Sequence, residues 1–227
     1  MANSAPLPEG TVIMAVHQTQ GRGQQGAEWT SAPGENLTFS LLLDPKTIQP
    51  VHQFALTVSI SLAMVECLED LLPQSHTVKI KWPNDIYVDG RKIAGILIEN
   101  ILAGKHWKHA IIGIGLNVNQ TEFPESVREK ATSLKLITGQ HYELMEIFQS
   151  LCHRIDENYE GLESAADPVL FGQYVNKLYR LNETAEFLID GVKVNGKIVG
   201  VTPYGKLKVD FNNNHMVEFG IKEIAFL

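Results

Sequence analysis

The stretch over residues 78–100, VKIKWPNDIYVDGRKIAGILIEN, limits what this chain can fold into more than any other. Val78, Ile80 and Trp82 alternate with Lys79 and Lys81, the period of a strand that buries one face and shows the other. Pro83-Asn84-Asp85 interrupts that strand with turn-forming residues. After Ile86-Tyr87-Val88 comes Asp89-Gly90, a strong two-residue hairpin signal, because such a tight turn needs positive φ at both positions. The return strand begins at Lys92. Its run Ile93-Ala94-Gly95-Ile96-Leu97-Ile98 is almost wholly apolar, which predicts a strand covered on both faces, and the glycine within it predicts a close approach to its backbone. Most hairpin charges simply face water, and Lys81, Asp85 and Arg91 fit that rule. Lys92 does not: entering an apolar, glycine-containing strand, it is placed to aim a cation at an anion lying over the sheet.

The rest of the chain bounds the setting. With 227 residues, 44% hydrophobic and 20% charged, it can build one sizeable core and a small second module. A net charge of -7 argues against a nucleic-acid binder, since neutralising phosphates takes an excess of lysine and arginine. The apolar runs are broken by charges before the length a bilayer requires, and no basic region followed by an apolar core opens the sequence. A cytoplasmic protein without a membrane partner is the expectation. Cys67 and Cys152 fall in separate helix-like segments without ligand spacing and read as free thiols. His106 and His109 flank Trp107 in a stretch that reads as a polar turn, so they are expected at the surface, and no metal site is assigned.

Taken in order, residues 1–10 read as a loop and 11–17 as a strand. Gln18 to Trp29 follows, with Gly21, Gly23 and Gly26 surrounding Arg22. Such a loop can turn successive N–H groups toward an anion, or can be a plain flexible turn. It lacks the Lys-Ser/Thr of a Walker loop and does not lead into a helix, as a dinucleotide fingerprint would. Residues 37–43 form a strand, and 50–72 the best helix, with Pro73 beyond its end. A polar break over 104–109 precedes the strand 110–119, where Asn117 and Asn119 leave one face. Buried amides need partners, and an adenine edge or a simple turn would each account for them. Residues 124–131 suit a short helix, 144–162 a long amphipathic one, and Asp167-Pro168 opens a third to about residue 179. From residue 181 the period changes to two, with turns at 190–191, 203–205 and 212–214. That is a small all-β, barrel-like module.

Three motifs in this order and spacing, GRGQQGAEW, KWPNDIYVDGRKIAGILIE and GIGLNVN, resemble the catalytic core of the biotin protein ligases (biotin–[acetyl-CoA-carboxylase] ligases). The resemblance spans about residues 10–180, and KWPND followed by GRKxAGIL is its most specific part. It implies an α/β (α+β) fold of the class II aminoacyl-tRNA-synthetase-like kind, a mixed sheet flanked by helices. Residues 1–180 would be the catalytic domain and 181–227 a small SH3-like β-barrel. The family makes biotinyl-5′-AMP from biotin, ATP and Mg2+, then passes biotin to a lysine of a biotin carboxyl carrier domain of a biotin-dependent carboxylase. By resemblance, Lys92 is the cation on the biotin carboxylate and phosphate. Arg22, with the amides of Gly21 and Gly23, closes over the adenylate. Gln18 meets the biotin head group, to which Gly95 and Ile96 present backbone. Trp29 and Asn117 surround the adenine, and Asp85 supplies an acidic group near the metal and lysine.

Two departures accompany the resemblance. The fourth and seventh loop positions, basic in many members, are Gln24 and Ala27 here, so less positive charge faces the phosphates. The family's first strand, with its Ser-Thr-Asn motif, has no counterpart, which predicts a chain started too late or truncated, binding biotin less well than an extended one. The family's DNA-binding extension is missing too, so autorepression is not expected. A lipoate or octanoate ligase shares the adenylation logic, and a non-catalytic ligand-binding module is a further alternative. Homodimerisation through sheet edges is conceivable on the pattern alone.

Overall fold

The computed structural model of the chain describes residues 7–26, 28–104, 106–162, 168–211 and 215–227. A six-stranded sheet in the order β1-β4-β8-β7-β6-β5 forms its larger part. The strands are β1 (Val12–Met14), β4 (Asn36–Leu43), β5 (Val78–Lys81), β6 (Asp85–Val88), β7 (Arg91–Ala103) and β8 (His106–Asn117), every neighbouring pair antiparallel. Two short strands, β2 (Gly21–Arg22) and β3 (Glu28–Trp29), pair with each other over the glycine-rich segment.

Alternation sorts the sheet into two faces. Leu37, Phe39 and Leu41 of β4 lie opposite Leu116, Ile114 and Ile112 of β8, which in turn lie opposite Ala94, Ile96 and Ile98 of β7. Helices cover this face: α1 (Phe54–Leu71), entered through a 3-10 turn at Pro50–His52, and α3 (Leu144–Glu160). Leu56, Met64 and Leu68 of α1 and Leu151 of α3 are completely buried there. Burying one such side chain stabilises the fold by about 1.5–3 kcal/mol. The segment Pro50–Leu71 has the length and composition of a membrane span, with mean hydropathy 1.5, contrary to the expectation from the sequence. Two thirds of that window is buried within the fold, as a core helix requires.

Among the described residues no helix covers the other face of β7, which meets only the short hairpin carrying Trp29, so the prediction of a strand buried on both sides is corrected. Gly95, Leu97 and Glu99 are half-buried or exposed on a face without a helix. The predicted helix over 124–131 is a series of turns, and the helix falls just after it, at α2 (Leu134–Thr138). The Ser133 hydroxyl accepts from Leu136 N at 3.2 Å, and Gly139 ends the helix at φ 74°. The polar break predicted at 104–109 is shorter than expected, because β7 runs to Ala103 and β8 starts at His106. Trp107 is buried, and His109 is half-buried against the Asp44 carboxylate instead of lying at the surface. The first strand covers only Val12–Met14.

Helix α4 (Pro168–Asn176) stops short of residue 179 because the backbone beyond it pairs with β5: Ile80 N donates to Lys177 O and Tyr179 N to Ile80 O, both at 2.8 Å. Asp167, placed at its start by the sequence, lies outside the described residues.

The period-two region folds as predicted into a separate five-stranded sheet, β12-β11-β10-β9-β13. Its strands are β9 (Thr184–Ile189), β10 (Val192–Val201), β11 (Leu207–Phe211), β12 (His215–Phe219) and β13 (Ala225–Phe226). Asp190-Gly191 repeats the turn chemistry of Asp89-Gly90: φ is 48° and 79° in one, 49° and 80° in the other. The turn expected at 212–214 lies outside the described residues.

Candidate functional site

The uncovered sheet face forms the floor of a cleft of about 440 Å³. Register aligns its floor in rows across the strands. Thr38, Gly115 and Gly95 make one row, and Ile13, Ser40, Gly113 and Leu97 the next. Small side chains at these crossings leave volume above the sheet that larger ones would fill.

Lys92 reaches this face through an irregularity that the sequence did not reveal. Ile86 pairs with Ala94, but Tyr87 pairs with Lys92, so β7 carries one extra residue, a bulge, at this point. Lys92 and Gly95 are three apart and would point to opposite faces of a regular strand; the bulge turns Lys92 to the cleft side. Its backbone is held there from outside the sheet, with Lys92 N donating to Lys130 O at 2.7 Å and Thr132 N donating to Lys92 O at 2.9 Å. Asp85, opposite Gly95 in register, receives the Lys92 ammonium at 2.7 Å. Both side chains are about a third exposed, and an ion pair in that setting is worth only ~0–1 kcal/mol. An anion entering the cleft can therefore take over the lysine at little cost.

The glycine-rich hairpin roofs the other end. Gly21 pairs with Trp29, and a side chain at 21 would collide with the Trp29 carbonyl. Trp29 lays its indole over Gly115 and Gly95, with Lys92 Nζ 5.7 Å from the ring centroid. A Cβ on Gly115 would overlap that ring, so glycine is needed there for the indole to approach. Two buried polar atoms at this end have no hydrogen-bond partner among the described residues, the acceptor Gln18 Oε1 and the donor Trp29 Nε1. Such orphans are costly unless something completes them, and a ligand carrying both a donor and an acceptor would do so.

Most of the predicted site residues meet here. Gln18, Arg22, Gly23, Trp29, Asp85, Lys92, Gly95 and Ile96 all border the cleft, together with Gln24. The Ile96 side chain belongs to the helix-covered face, and its backbone N and O are both bonded to Asn84. Gly21 is not among the residues that line the cleft but pairs with Trp29 beside it. Asn117 is not among the lining residues: its Nδ2 donates to Thr132 O at 3.0 Å and its Oδ1 is buried without a partner. Asn119 is structural, exchanging hydrogen bonds with the backbone of Tyr142 at 2.8 and 3.0 Å. Ala27 lies outside the described residues. The sequence reading missed Thr38 and Ser40, which alternate with the core residues of β4 and so were legible as its open face.

Among the described residues no group of three or more His, Cys, Asp or Glu could hold a metal ion. Asp85, Glu28 and Glu99 border the cleft singly. That set fits Mg2+ arriving on nucleotide phosphates, which needs only one or two carboxylates, and not a dedicated protein cage.

Residues 1–117 match the model of the biotin/lipoate A/B protein ligase family. The bifunctional ligase/repressor BirA of Bacillus subtilis is 36% identical over 155 residues, 67% of this chain and 46% of that protein. The biotin–[acetyl-CoA-carboxylase] ligase of Mycobacterium tuberculosis is 35% identical over 129 residues, 56% of this chain and 45% of that protein. The chain thus spans about half the length of these curated relatives. Among solved structures, the biotin protein ligase from Aquifex aeolicus in complex with biotin and ATP superposes with a TM-score of 0.80 at 31% identity, covering 99% of this chain and 91% of that one. The cleft, the motifs around it and these matches agree: the chain belongs to the biotin/lipoate A/B protein ligase family.

Proposed function

We propose that this chain activates biotin with ATP as biotinyl-5′-AMP and transfers the biotinyl group to a lysine of a biotin carboxyl carrier domain. In the first step a biotin carboxylate oxygen attacks the α-phosphorus of ATP, the bond to the β-phosphate bridging oxygen breaks, and pyrophosphate leaves. Two anions must come together, so catalysis rests on holding them in line and offsetting their charge. Lys92 supplies the cation, and the weak hold of Asp85 lets it change partners. Arg22 and the Gly23 backbone cover the phosphate end, and Gln18 Oε1 accepts from the ligand's head group. Trp29, over the glycine row, keeps water from the mixed anhydride. In the second step the carrier's lysine amine attacks the acyl carbon and AMP departs, with Asp85 placed to take the proton. Residues 1–180 carry this chemistry in our reading, residues 181–227 form the SH3-like module, and the reaction takes place in the cytoplasm.

The observation that carries the proposal is the Lys92–Asp85 pair presented by a bulge over a glycine-floored cleft. Biotin is favoured over lipoate or octanoate by the likeness along nearly the whole chain to a ligase solved with biotin and ATP. Exchange of labelled pyrophosphate into ATP is the test. Biotin should drive it, lipoate and octanoate should not, and Lys92→Ala should abolish it. A chain that catalyses no exchange with any of the three acids is a binding module, and the proposal fails.

A further inference from the structure

At the junction of β5 and β6, the residues from Lys81 to Asp85 are held by several parts of the molecule. Lys81 Nζ donates to Tyr87 Oη at 3.2 Å and lies 5.1 Å from the ring centroid of Phe226 on β13. Trp82 Nε1 donates to Gly205 O at 2.9 Å, across to the turn between β10 and β11. Pro83 O accepts from Tyr174 Oη of α4 at 2.7 Å. Asn84 Nδ2 donates to Ile96 O, while Ile96 N donates to Asn84 O at 3.2 Å. Asp85 then receives Lys92.

Two of these ties reach the segment through buried groups that do not line the cleft. Trp82 is 6% exposed and Tyr174 fully buried. The carbonyl that takes the indole proton belongs to a turn shaped to present it. Gly205 sits at φ 88°, its N donates to Thr202 O at 2.9 Å, and a Cβ there would come within 2.6 Å of the Phe54 ring. Phe54 meets Tyr174 edge-on, centroids 5.5 Å apart. Gly205, Phe54 and Tyr174 therefore make one packed column from the C-terminal sheet to the turn that carries Asp85.

We propose that Trp82 is a positioning residue: its indole N–H, anchored on Gly205 O of the C-terminal sheet, fixes the direction in which residues 83–85 present Asp85, and through Asp85 the place of Lys92 Nζ. The proposal rests on the reading of Lys92 as the cation of acyl-adenylate formation. The Lys92–Asp85 pair is partly exposed and weak alone, so its geometry depends on the turn behind it. Reacting groups displaced by an ångström lose about a hundredfold in rate, so a partial displacement is felt in kcat.

Tyr174→Phe removes only the hydroxyl that ties Pro83, while Trp82→Phe keeps a buried aromatic ring but removes the donor together with part of the indole. Brief acetylation of the whole 227-residue chain, read by mass spectrometry, compares Lys92 with the distant Lys197. In both variants Lys92 labelling should rise about threefold relative to Lys197, as it is released from Asp85, and kcat for biotin-dependent exchange should fall about tenfold with KM for biotin within about twofold. A lower melting temperature with unchanged Lys92 labelling and unchanged kcat per folded molecule would mean that the column is merely structural, and overturns the proposal. If the wild-type protein shows no exchange, it is the ligase reading that fails, and the labelling alone still decides whether Trp82 positions Lys92.

Discussion

Gly115 and Gly196 offer matched perturbations whose outcomes should differ. At Gly196 a Cβ would lie 2.7 Å from Phe211 Cε1 and 2.7 Å from Val209 Cγ1. Val209 is fully buried, and Phe211 packs edge-on against Phe219. Gly196→Ala therefore overpacks a core that cannot give way, at a cost of ~1–3 kcal/mol. For a chain of this size that is a fall in Tm of roughly 2–12 °C, taking ~2–4 °C per kcal/mol. At Gly115 the overlap is just as severe, 2.5 Å from Trp29 Cζ2 and 2.8 Å from Nε1. Here, however, the obstacle is a side chain on a two-residue strand paired with another of the same length, and its indole N–H makes no hydrogen bond among the described residues. The indole can swing into the cleft, so Gly115→Ala should cost under ~1 kcal/mol. Urea titration of both variants measures the difference. Trp82 and Trp107 are buried elsewhere, so a red shift of emission in Gly115→Ala reports on Trp29, and should vanish in a Trp29→Phe background. If Gly115→Ala were as destabilising as Gly196→Ala, with no spectral change, the indole would be a fixed part of the core, and the reasoning that it can swing aside would be refuted.

Two other predictions address ionisation. Burial is the largest single influence on the Asp89 carboxyl and pushes it up, but the hydrogen bonds from His76 and the Thr77 amide, with the charges of His76 and Arg91, together outweigh it and hold the group below the usual 3.8. A depressed carboxylate adds stability above its unfolded value that is lost as pH falls through the folded one, so acid titration of Asp89→Asn by circular dichroism should show a shallower loss below about pH 4 than the wild type. Burial pushes the Cys67 thiol up to about 11 and raises that of the half-buried Cys152 too. At pH 8 about one Cys67 in a thousand would be thiolate, so iodoacetamide should alkylate Cys152 well before Cys67 in the native protein, and both alike in urea. Equal native rates would contradict the burial of Cys67.

The parts of the fold that the sequence disclosed are those set by local chemistry. Asp89-Gly90 and Asp190-Gly191 form the turns their residue types demand, and the alternation of β5, β9 and β11 matches the faces they bury. What stayed hidden depends on long-range pairing. The bulge that turns Lys92 into the cleft is a property of register between β6 and β7, and no residue at Ile93 announces it. The near-continuous apolar run of β7 suggested cover on both faces because an open cleft floor of glycine and leucine looks like core in one dimension. Trp107 and His109 read as a polar turn because the neighbours that bury them, Asp44 among them, lie over sixty residues away. Pro124 suggested a helix start, but the backbone that follows closes single turns on Pro124 and Val127 and then bonds to Lys92 through Lys130 O and Thr132 N, and the helix waits for the better cap at Ser133.

The central claim is that a lysine held over a glycine-floored cleft joins a carboxylic acid to AMP. Mass spectrometry of the protein after a single turnover with biotin and MgATP tests it most directly. The account predicts biotinyl-5′-AMP with the wild type and none with Lys92→Ala; equal adenylate from both proteins, or none from the wild type, would contradict it.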